Sequence, residues 1–268
     1  MGIDKKSLLN WVGGKRLLRK VIEPLIPKDI TSYIEPFGGG AWVLLYKEKW
    51  ADLEIYNDLD GRLVNLFRMV KYHPNALKEE LNYLLGSREM FLQFLNGTFI
   101  TELQRAAQFY FLITRSFGGR GKTFGVAKCS HGGAAKSHKN SFEKIDAIHE
   151  RLDKVMIENL DFEKLIKQYD QEKAFFYCDP PYTQGCGYEV VSTKAFDHKG
   201  LREVLGNVKG RFLLSYNDSP EIRELYKDFE MIAVERLNGI NNREGMKKNK
   251  MYKELLIANY PIKELYNG

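Results

Sequence analysis

Cysteine is scarce in this sequence, and its spacing excludes the common zinc sites. Cys129, Cys178 and Cys186 form neither a CxxC pair nor a Cys/His pattern that binds zinc. So few cysteines, in an odd number, are typical of proteins from a reducing compartment. The chain also lacks an apolar run of membrane-spanning length and a hydrophobic signal core at its N-terminus. We therefore expect a cytoplasmic protein that has no metal site and no membrane partner.

Acidic residues are missing from one part of the chain, although 28% of the sequence is charged. Residues 103–142 contain no Asp or Glu, and glycines and phenylalanines alternate there with basic residues. The net charge of +6 and the pI near 9.0 favour a polyanionic partner. We interpret this segment as a nucleic-acid-binding region, helped by a second basic stretch, NNREGMKKNKMYK. The candidate nucleic-acid-binding residues are Arg115, Arg120, Lys122, Lys128, Lys136, Lys139, Lys247 and Lys248.

Apolar runs alternate with helical patterns, which predicts an α/β fold with a largely parallel sheet. Strands are predicted at Tyr33–Ile34, at Leu53–Asn57 and in KAFFYC, and a first helix from about Lys15 to Ile26. Further helices are expected behind the glycines of EPFGGG and behind Asp58. The last two apolar runs, FEMIAVERL and YKELLIANY, are joined by a loop, so they predict an antiparallel edge.

Strands and helices no longer alternate between about His73 and Arg151, where the pattern is helical and then rich in loops. We therefore predict two domains. One comprises residues 1–65 and 152–268 and contains the sheet, and residues 66–151 are an inserted, mainly helical domain with a basic loop.

A glycine turn and an acid follow the first two predicted strands. The glycines of YIEPFGGGAW let the backbone approach a ligand closely, although a tight turn would use them equally well. Asp58 ends the next strand, where a carboxylate can bind the hydroxyls of a ribose. The alternative for Asp58 is a simple helix N-cap. Together these features predict a site for an adenosine-bearing cofactor.

The stretch FFYCDPPYTQGCGY ends a buried strand with an acid, two prolines and a tyrosine. Two prolines fix two φ angles and remove two backbone donors, so they leave a rigid corner that is rich in acceptors. Such a corner beside an aromatic ring suits a planar substrate that donates hydrogen bonds.

NWVGGK, EPFGGG, YNDLD, CDPPY and KELLIANY resemble, in that order, the motifs of the Dam-like DNA adenine N6-methyltransferases. The resemblance implies that residues 1–65 and 152–268 form the catalytic domain, with a Rossmann-like methyltransferase core, and that residues 66–151 recognise the target. It also implies S-adenosylmethionine as the cofactor, S-adenosylhomocysteine as the product, and double-stranded DNA as the partner. It also implies a bacterial or phage-encoded protein that acts as a monomer and, in many relatives, serves restriction-modification. The implied cofactor-binding residues are Trp11, Lys15, Glu35, Phe37, Gly38, Gly40, Asp58, Asp161, Phe162 and Asp179. Without the resemblance, Trp11 would be interpreted as a core residue and Lys15 as a surface residue.

The catalytic residues that the resemblance implies are Asp179, Pro180, Pro181 and Tyr182. The Asp179 carboxylate and the Pro180 carbonyl would accept hydrogen bonds from the exocyclic amine and so free its lone pair for in-line attack. Because the amine lies inside a duplex, the base must be flipped out, and Tyr182 would stack on it.

The recognised sequence does not follow from the resemblance, because RSFGGRG is not the Asn–Arg signature that reads GATC in the best-known members. We expect Arg115 to read a base and Arg120, between two glycines, to contact phosphate. Two alternatives stay open at this point. One is another amino-methyltransferase, acting on cytosine N4, on adenine in RNA or on a protein glutamine, and the other is a DNA-binding module without activity.

Overall fold

The computed structural model describes residues 7–9, 11, 14–125, 139–182, 196–237 and 251–266. Within these residues seven strands form one sheet in the order β3-β2-β1-β4-β5-β7-β6. The strands are β1 Ser32–Glu35, β2 Leu53–Asn57, β3 Val155–Glu158, β4 Ala174–Cys178, β5 Arg211–Asn217, β6 Glu230–Leu237 and β7 Met251–Ala258.

The sheet is parallel in its centre and antiparallel at one edge. β1 pairs in parallel with β2 and β4, and β4 pairs in parallel with β5. β7 pairs antiparallel with both β5 and β6. This architecture confirms the predicted α/β fold with an antiparallel edge. β2 has the predicted bounds, and β1 is one residue longer at each end than predicted.

Burial explains the composition of the central strands, because β4 is apolar throughout and β1 is apolar between Ser32 and Glu35 at its ends. Every residue of β1 and β4 is buried, as is usual for parallel strands that are covered on both faces. Residues of three later helices pack into the same core cluster: Leu165 and Ile166, Leu201 and Leu205, and Ile222. The charged and polar residues that follow these strands therefore stand out at the strand ends.

The described α-helices are α1 Arg19–Ile22, α2 Gly61–Tyr72, α3 Pro74–Asn82, α4 Arg88–Asn96, α5 Glu102–Arg115, α6 Lys139–Leu152, α7 Phe162–Tyr169, α8 His198–Gly206 and α9 Pro220–Leu225. No described helix is long and apolar enough to span a membrane. Short 3₁₀ turns occur at Glu23–Leu25, Leu44–Tyr46 and Phe117–Gly119.

Two of the predicted helices are wrong in extent. The helix expected from Lys15 to Ile26 is a single α-turn, α1, followed by the 3₁₀ turn that contains Pro24. Proline lacks the N–H that would continue the α-helical ladder. Behind EPFGGG the structure has only the 3₁₀ turn Leu44–Tyr46, because Gly39 and Ala41 adopt positive φ angles of 50° and 53° that interrupt a right-handed helix.

The chain forms two compact units that alternate along the sequence. The sheet unit comprises residues 16–38, 49–59 and 158–268, and the helical unit comprises residues 1–15, 39–48 and 60–157. In the helical unit, α2 packs against α3, α5 and α6. The functional division into residues 1–65 with 152–268, and 66–151, stays a prediction.

Candidate active site

The carboxyl ends of the parallel strands form one edge of the sheet, and the loops that leave them carry most of the predicted site. β1 lies between β2, which follows it in the chain, and β4, which comes much later. From β2 the chain continues outward to β3 on one side of β1, and from β4 it continues outward to β5 on the other side. In open α/β sheets such a switch point is where ligands bind. Glu35 ends β1 and Asp179 follows β4, so both predicted residues stand at the switch point.

Asp179 is held by a residue of the neighbouring strand. The Ser215 hydroxyl, fully buried in β5, donates to Asp179 Oδ1 at 3.1 Å. The Tyr177 hydroxyl lies 3.3 Å from the same Ser215 oxygen. Burial, followed by the Asp179 charge, holds the pKa of Tyr177 well above its usual value, so the phenol stays protonated. Ser215 was not predicted from the sequence, where it appears only as a polar residue inside the apolar run RFLLSY.

Tyr182 is held by Glu254, a second residue that the sequence did not predict. The Tyr182 hydroxyl donates to Glu254 Oε1, and Glu254 is 2% exposed on β7. Burial, then the charges of Asp179 and Glu254, keep the pKa of Tyr182 well above normal. The Tyr182 ring also packs near that of Tyr216, with centroids 5.7 Å apart. The signal in the sequence was an acid within the otherwise apolar run of KELLIANY.

The two prolines of the corner follow Asp179. Pro180 is buried, and Pro181 and Tyr182 are half-buried. The acceptor role of the Pro180 carbonyl stays a prediction.

Asn57, the last residue of β2, joins three loops of this edge. Its Nδ2 donates to Pro36 O at 2.8 Å and to Leu160 O at 3.0 Å, and its Oδ1 accepts from Leu160 N at 2.8 Å. Asn57 has no exposed surface. Nearby, Asn159 Nδ2 donates to Asp58 O at 2.7 Å. The loops that follow β1, β2 and β3 are therefore fixed to one another, a role that the sequence did not reveal.

The structure separates the two interpretations of Asp58. The N-cap of α2 is Asp60, whose carboxylate accepts from Arg62 N at 3.0 Å. The N-cap interpretation of Asp58 is therefore wrong, and its half-buried side chain stands at the end of β2. By contrast, Asp161 is an N-cap, because it caps α7 through Glu163 N at 2.9 Å.

Three phenylalanines form a half-buried aromatic cluster at this edge. Phe37, Phe162 and Phe196 have ring centroids 5.6 Å apart in each pair. The row continues through His198, which lies 5.0 Å from Phe196, to Tyr216. Phe37 and Phe162 were predicted to bind the cofactor, whereas Phe196 was not identified from the sequence.

The glycine turn is crowded by protein groups. A Cβ on Gly38 would lie 2.3 Å from the Tyr56 ring, and Gly38 N donates to Asn57 O at 2.7 Å. In the helical unit, a Cβ on Gly40 would lie 3.1 Å from Ser7, Trp11 and Trp42. A side chain at Gly38 would overlap the Tyr56 ring, and one at Gly40 would be tightly packed, so neighbouring side chains favour glycine at both positions.

Trp11 and Lys15 lie in the helical unit. The Trp11 ring is half-buried and stands 5.9 Å from that of Phe109. Lys15 is 3% exposed, so it is not an ordinary surface lysine. A buried lysine is rare unless its charge is compensated.

The described basic residues differ sharply in exposure. Arg115 is 5% exposed at the end of α5, and burial lowers its pKa, whereas Arg120 and Lys122 are exposed. Lys139 begins α6. Lys128, Lys136, Lys247 and Lys248 lie outside the described residues.

Residues 115–125 form a tight basic loop. Phe117 N donates to Thr123 O at 2.8 Å and Gly125 N to Arg115 O at 2.8 Å, which closes the loop like a short hairpin. Gly118, Gly119 and Gly121 all have positive φ angles. Arg120 stands among these glycines, and Phe117 is 64% exposed.

Among the described residues, no group of three His, Cys, Asp or Glu side chains could hold a metal ion.

Comparison with known proteins gives consistent matches over most of the chain. Residues 11–240 match the family described as D12 class N6 adenine-specific DNA methyltransferase. The chain is 30% identical to the type II methyltransferase M1.LlaDCHI of Lactococcus lactis subsp. cremoris, over 96% of both chains. It is 27% identical to the type II methyltransferase M.MjaIII of Methanocaldococcus jannaschii, over 96% of this chain and 100% of that protein. It is also 24% identical to the type II methyltransferase M.CviBI of Paramecium bursaria Chlorella virus NC1A, over 84% of this chain and 87% of that one.

Proposed function

Because this chain belongs to the D12 class of N6 adenine-specific DNA methyltransferases, we propose that Asp179 and Tyr182 receive the adenine that it methylates. The enzyme class, the DNA substrate and the use of S-adenosylmethionine follow from the family. They confirm the predicted methylation of adenine in DNA, rather than either alternative, another amino-methyltransferase or a DNA-binding module without activity. The observation that supports these residue roles is the paired support of the corner, Asp179 by Ser215 and Tyr182 by Glu254.

Asp179 acts on the amine through its charge and its fixed position. The lone pair of the N6 amine is delocalised into the adenine ring, which makes the nitrogen a poor nucleophile. A carboxylate that accepts one N–H favours a more tetrahedral nitrogen and stabilises the positive charge that develops there. Since Ser215 already fixes Oδ1, the carboxylate needs little reorganisation when the amine arrives.

Tyr182 supplies a flat ring beside this acceptor. An extruded adenine loses its stacking in the duplex, and an aromatic platform restores about 1–3 kcal/mol per base. Because the hydroxyl of Tyr182 is bound to Glu254, the ring is held in one orientation before the base enters.

We assign part of the S-adenosylmethionine site to the sheet unit. When bound, this cofactor supplies an electrophilic methyl group on a positively charged sulfonium. Asp58 offers its carboxylate at the end of β2, where ribose hydroxyls are bound in related folds. Phe37 and Phe162 offer a half-buried apolar surface that suits an adenine ring. Glu35, 2% exposed at the end of β1, accepts from the Tyr33 hydroxyl at 2.7 Å, so its role toward the cofactor is proposed on the motif alone. Roles for Trp11, Lys15, Gly38, Gly40 and Asp161 are proposed on the motif alone.

DNA contact is proposed for the basic loop of residues 115–125. Arg120 and Lys122 are exposed there, and exposed basic side chains can reach and neutralise phosphates. We further propose that the enzyme modifies double-stranded DNA as a monomer and without a metal.

Nucleoside mass spectrometry tests the proposed function. Purified enzyme and labelled cofactor should produce N6-methyladenine in duplex DNA, at the same rate with and without a chelator. Production of N4-methylcytosine, or transfer to RNA alone, would contradict the proposal. Sedimentation of the enzyme–DNA complex gives its stoichiometry, and sequencing of methylated DNA from a methylation-free host gives the recognised sequence.

A further inference from the structure

Glu254 is a buried acid in an otherwise apolar part of β7. Residues 254–258 are all buried, and Glu254 is 2% exposed. Burying a carboxylate is costly unless hydrogen bonds compensate for the loss of water. A leucine in its place would satisfy the core at lower cost, so the acid has a purpose other than packing.

Pairing of the strands brings Glu254 to the catalytic edge. β7 runs antiparallel to β5, and Glu254 lies opposite Asn217, the last residue of β5. An antiparallel strand thus contributes a side chain to the edge where the parallel strands end. That position explains how a residue so late in the chain contacts Tyr182.

The hydrogen bond between Tyr182 and Glu254 restricts rotations of the Tyr182 side chain that the two prolines do not restrict. Pro180 and Pro181 restrict the backbone, but they do not determine the χ angles of the following tyrosine. A hydrogen bond at the far end of the ring, with Tyr216 packed beside it, limits both rotations. We propose that Glu254 is a positioning residue that holds the Tyr182 ring in the orientation on which the extruded adenine stacks. This inference rests on the proposed role of Tyr182.

Two substitutions that remove the same bond from opposite ends test the proposal. Glu254→Leu removes the acceptor, and Tyr182→Phe removes the donor but keeps the ring. Each should lower the single-turnover rate about tenfold, because small misplacements near the reacting atoms are costly. Both should leave cofactor affinity unchanged, and 2-aminopurine at the target position should show altered fluorescence in the complex. Glu254→Gln retains an acceptor and should stay within about threefold of wild type.

The matched control is Glu54→Leu, which also removes a buried strand acid. Glu54 is also a buried strand acid, 4% exposed, but it accepts from Trp50 N at 3.0 Å near the start of β2. This variant should retain the wild-type rate even if its stability falls. The double variant Tyr182→Phe with Glu254→Leu should be no slower than either single variant, since both remove one interaction.

The outcomes separate this inference from the proposed function. If Tyr182→Ala retains the wild-type rate, Tyr182 is not the platform and the proposed role fails. If Tyr182→Ala is slow while Tyr182→Phe is as fast as wild type, the platform stands and the positioning role of Glu254 is wrong. Tyr182→Phe distinguishes these outcomes even if Glu254→Leu does not fold. Additive losses in the double variant would also overturn the inference.

Discussion

The carboxyl edge of the sheet and the basic loop of residues 115–125 hold their polar side chains in opposite ways. At the edge, Ser215, Glu254 and Asn57 are buried, and each bonds to a group on another strand or loop. In the loop, Arg120 and Lys122 are exposed on a backbone with several glycines of positive φ. Chemistry on one amine requires atoms fixed in advance, whereas contact with phosphates requires charge that remains accessible.

This contrast indicates what each kind of side chain contributes. Removing a side chain from the carboxyl edge should disturb the geometry of the active site. Removing one from the basic loop should change only the affinity for DNA. Arg115 and Arg120 show the same contrast within a few residues, since one guanidinium is buried and the other is exposed. Substitutions in both regions test this division.

The largest effect is expected at Asp179. Asp179→Ala should lower the methylation rate by about 10²-fold or more, the typical cost of losing one preorganised charge-stabilising group. DNA binding should change little, since the basic loop is intact. Ser215→Ala keeps the carboxylate and removes only its support, so a smaller loss is expected. Single-turnover rates of both variants provide the measurement, and more than about a tenth of the wild-type rate in Asp179→Ala would refute the role.

Next in size is a loss of stability at Asn57. Asn57→Ala leaves two carbonyls and one N–H without their partner, at Pro36 and Leu160. We expect the free energy of unfolding to fall by about 2–3 kcal/mol, since each buried unsatisfied group costs about 1–3 kcal/mol. Asn207→Ala is the control, because Asn207 is exposed and its side chain donates to Glu203 O within its own helix end. Denaturant titrations that gave equal losses for both would show that the edge is not preorganised by Asn57.

The sequence predicted the strand ends better than the contacts between them. Leu53–Asn57 could be predicted because an apolar run stops at polar residues, and Asp179 because two prolines follow it. Ser215 and Glu254 could not, because their roles depend on the pairing of β4 with β5 and of β5 with β7. No local pattern determines which distant strands become neighbours. The helix after the glycines failed for a local reason, the positive φ angles at Gly39 and Ala41.

A pair of neighbouring acids tests whether the edge binds the cofactor. Asp58→Ala should weaken S-adenosylmethionine binding by about 2 kcal/mol, because hydrogen bonds to charged groups contribute about 1.5–3 kcal/mol. Asp60→Ala removes the N-cap of α2 and should cost about 1 kcal/mol of stability while the cofactor binds normally. Calorimetry and thermal melts on both variants separate the two effects. Normal cofactor binding by Asp58→Ala would remove Asp58 from the site.

The smallest effects are expected in the basic loop, where they test the other half of the comparison. Arg120→Ala should weaken binding to all DNA sequences about equally and reduce the slope of log affinity against log salt by about 0.9. The methylated sequence should stay the same, because a phosphate contact carries no base information. A changed motif would show that Arg120 reads a base.

Arg115→Ala is the matched substitution, and it decides between two roles. If Arg115 reads a base, as the sequence predicts, its removal should relax the methylated motif at one position at a cost of about 1–3 kcal/mol in discrimination. Its burial favours a different result, a fall in melting temperature with an unchanged motif, because truncating a buried arginine removes packing as well as charge. Methylated-sequence mapping and thermal melts on one preparation distinguish the two roles. The second result would mean that the exposed residues of the loop make the DNA contacts and that the buried Arg115 stabilises the fold.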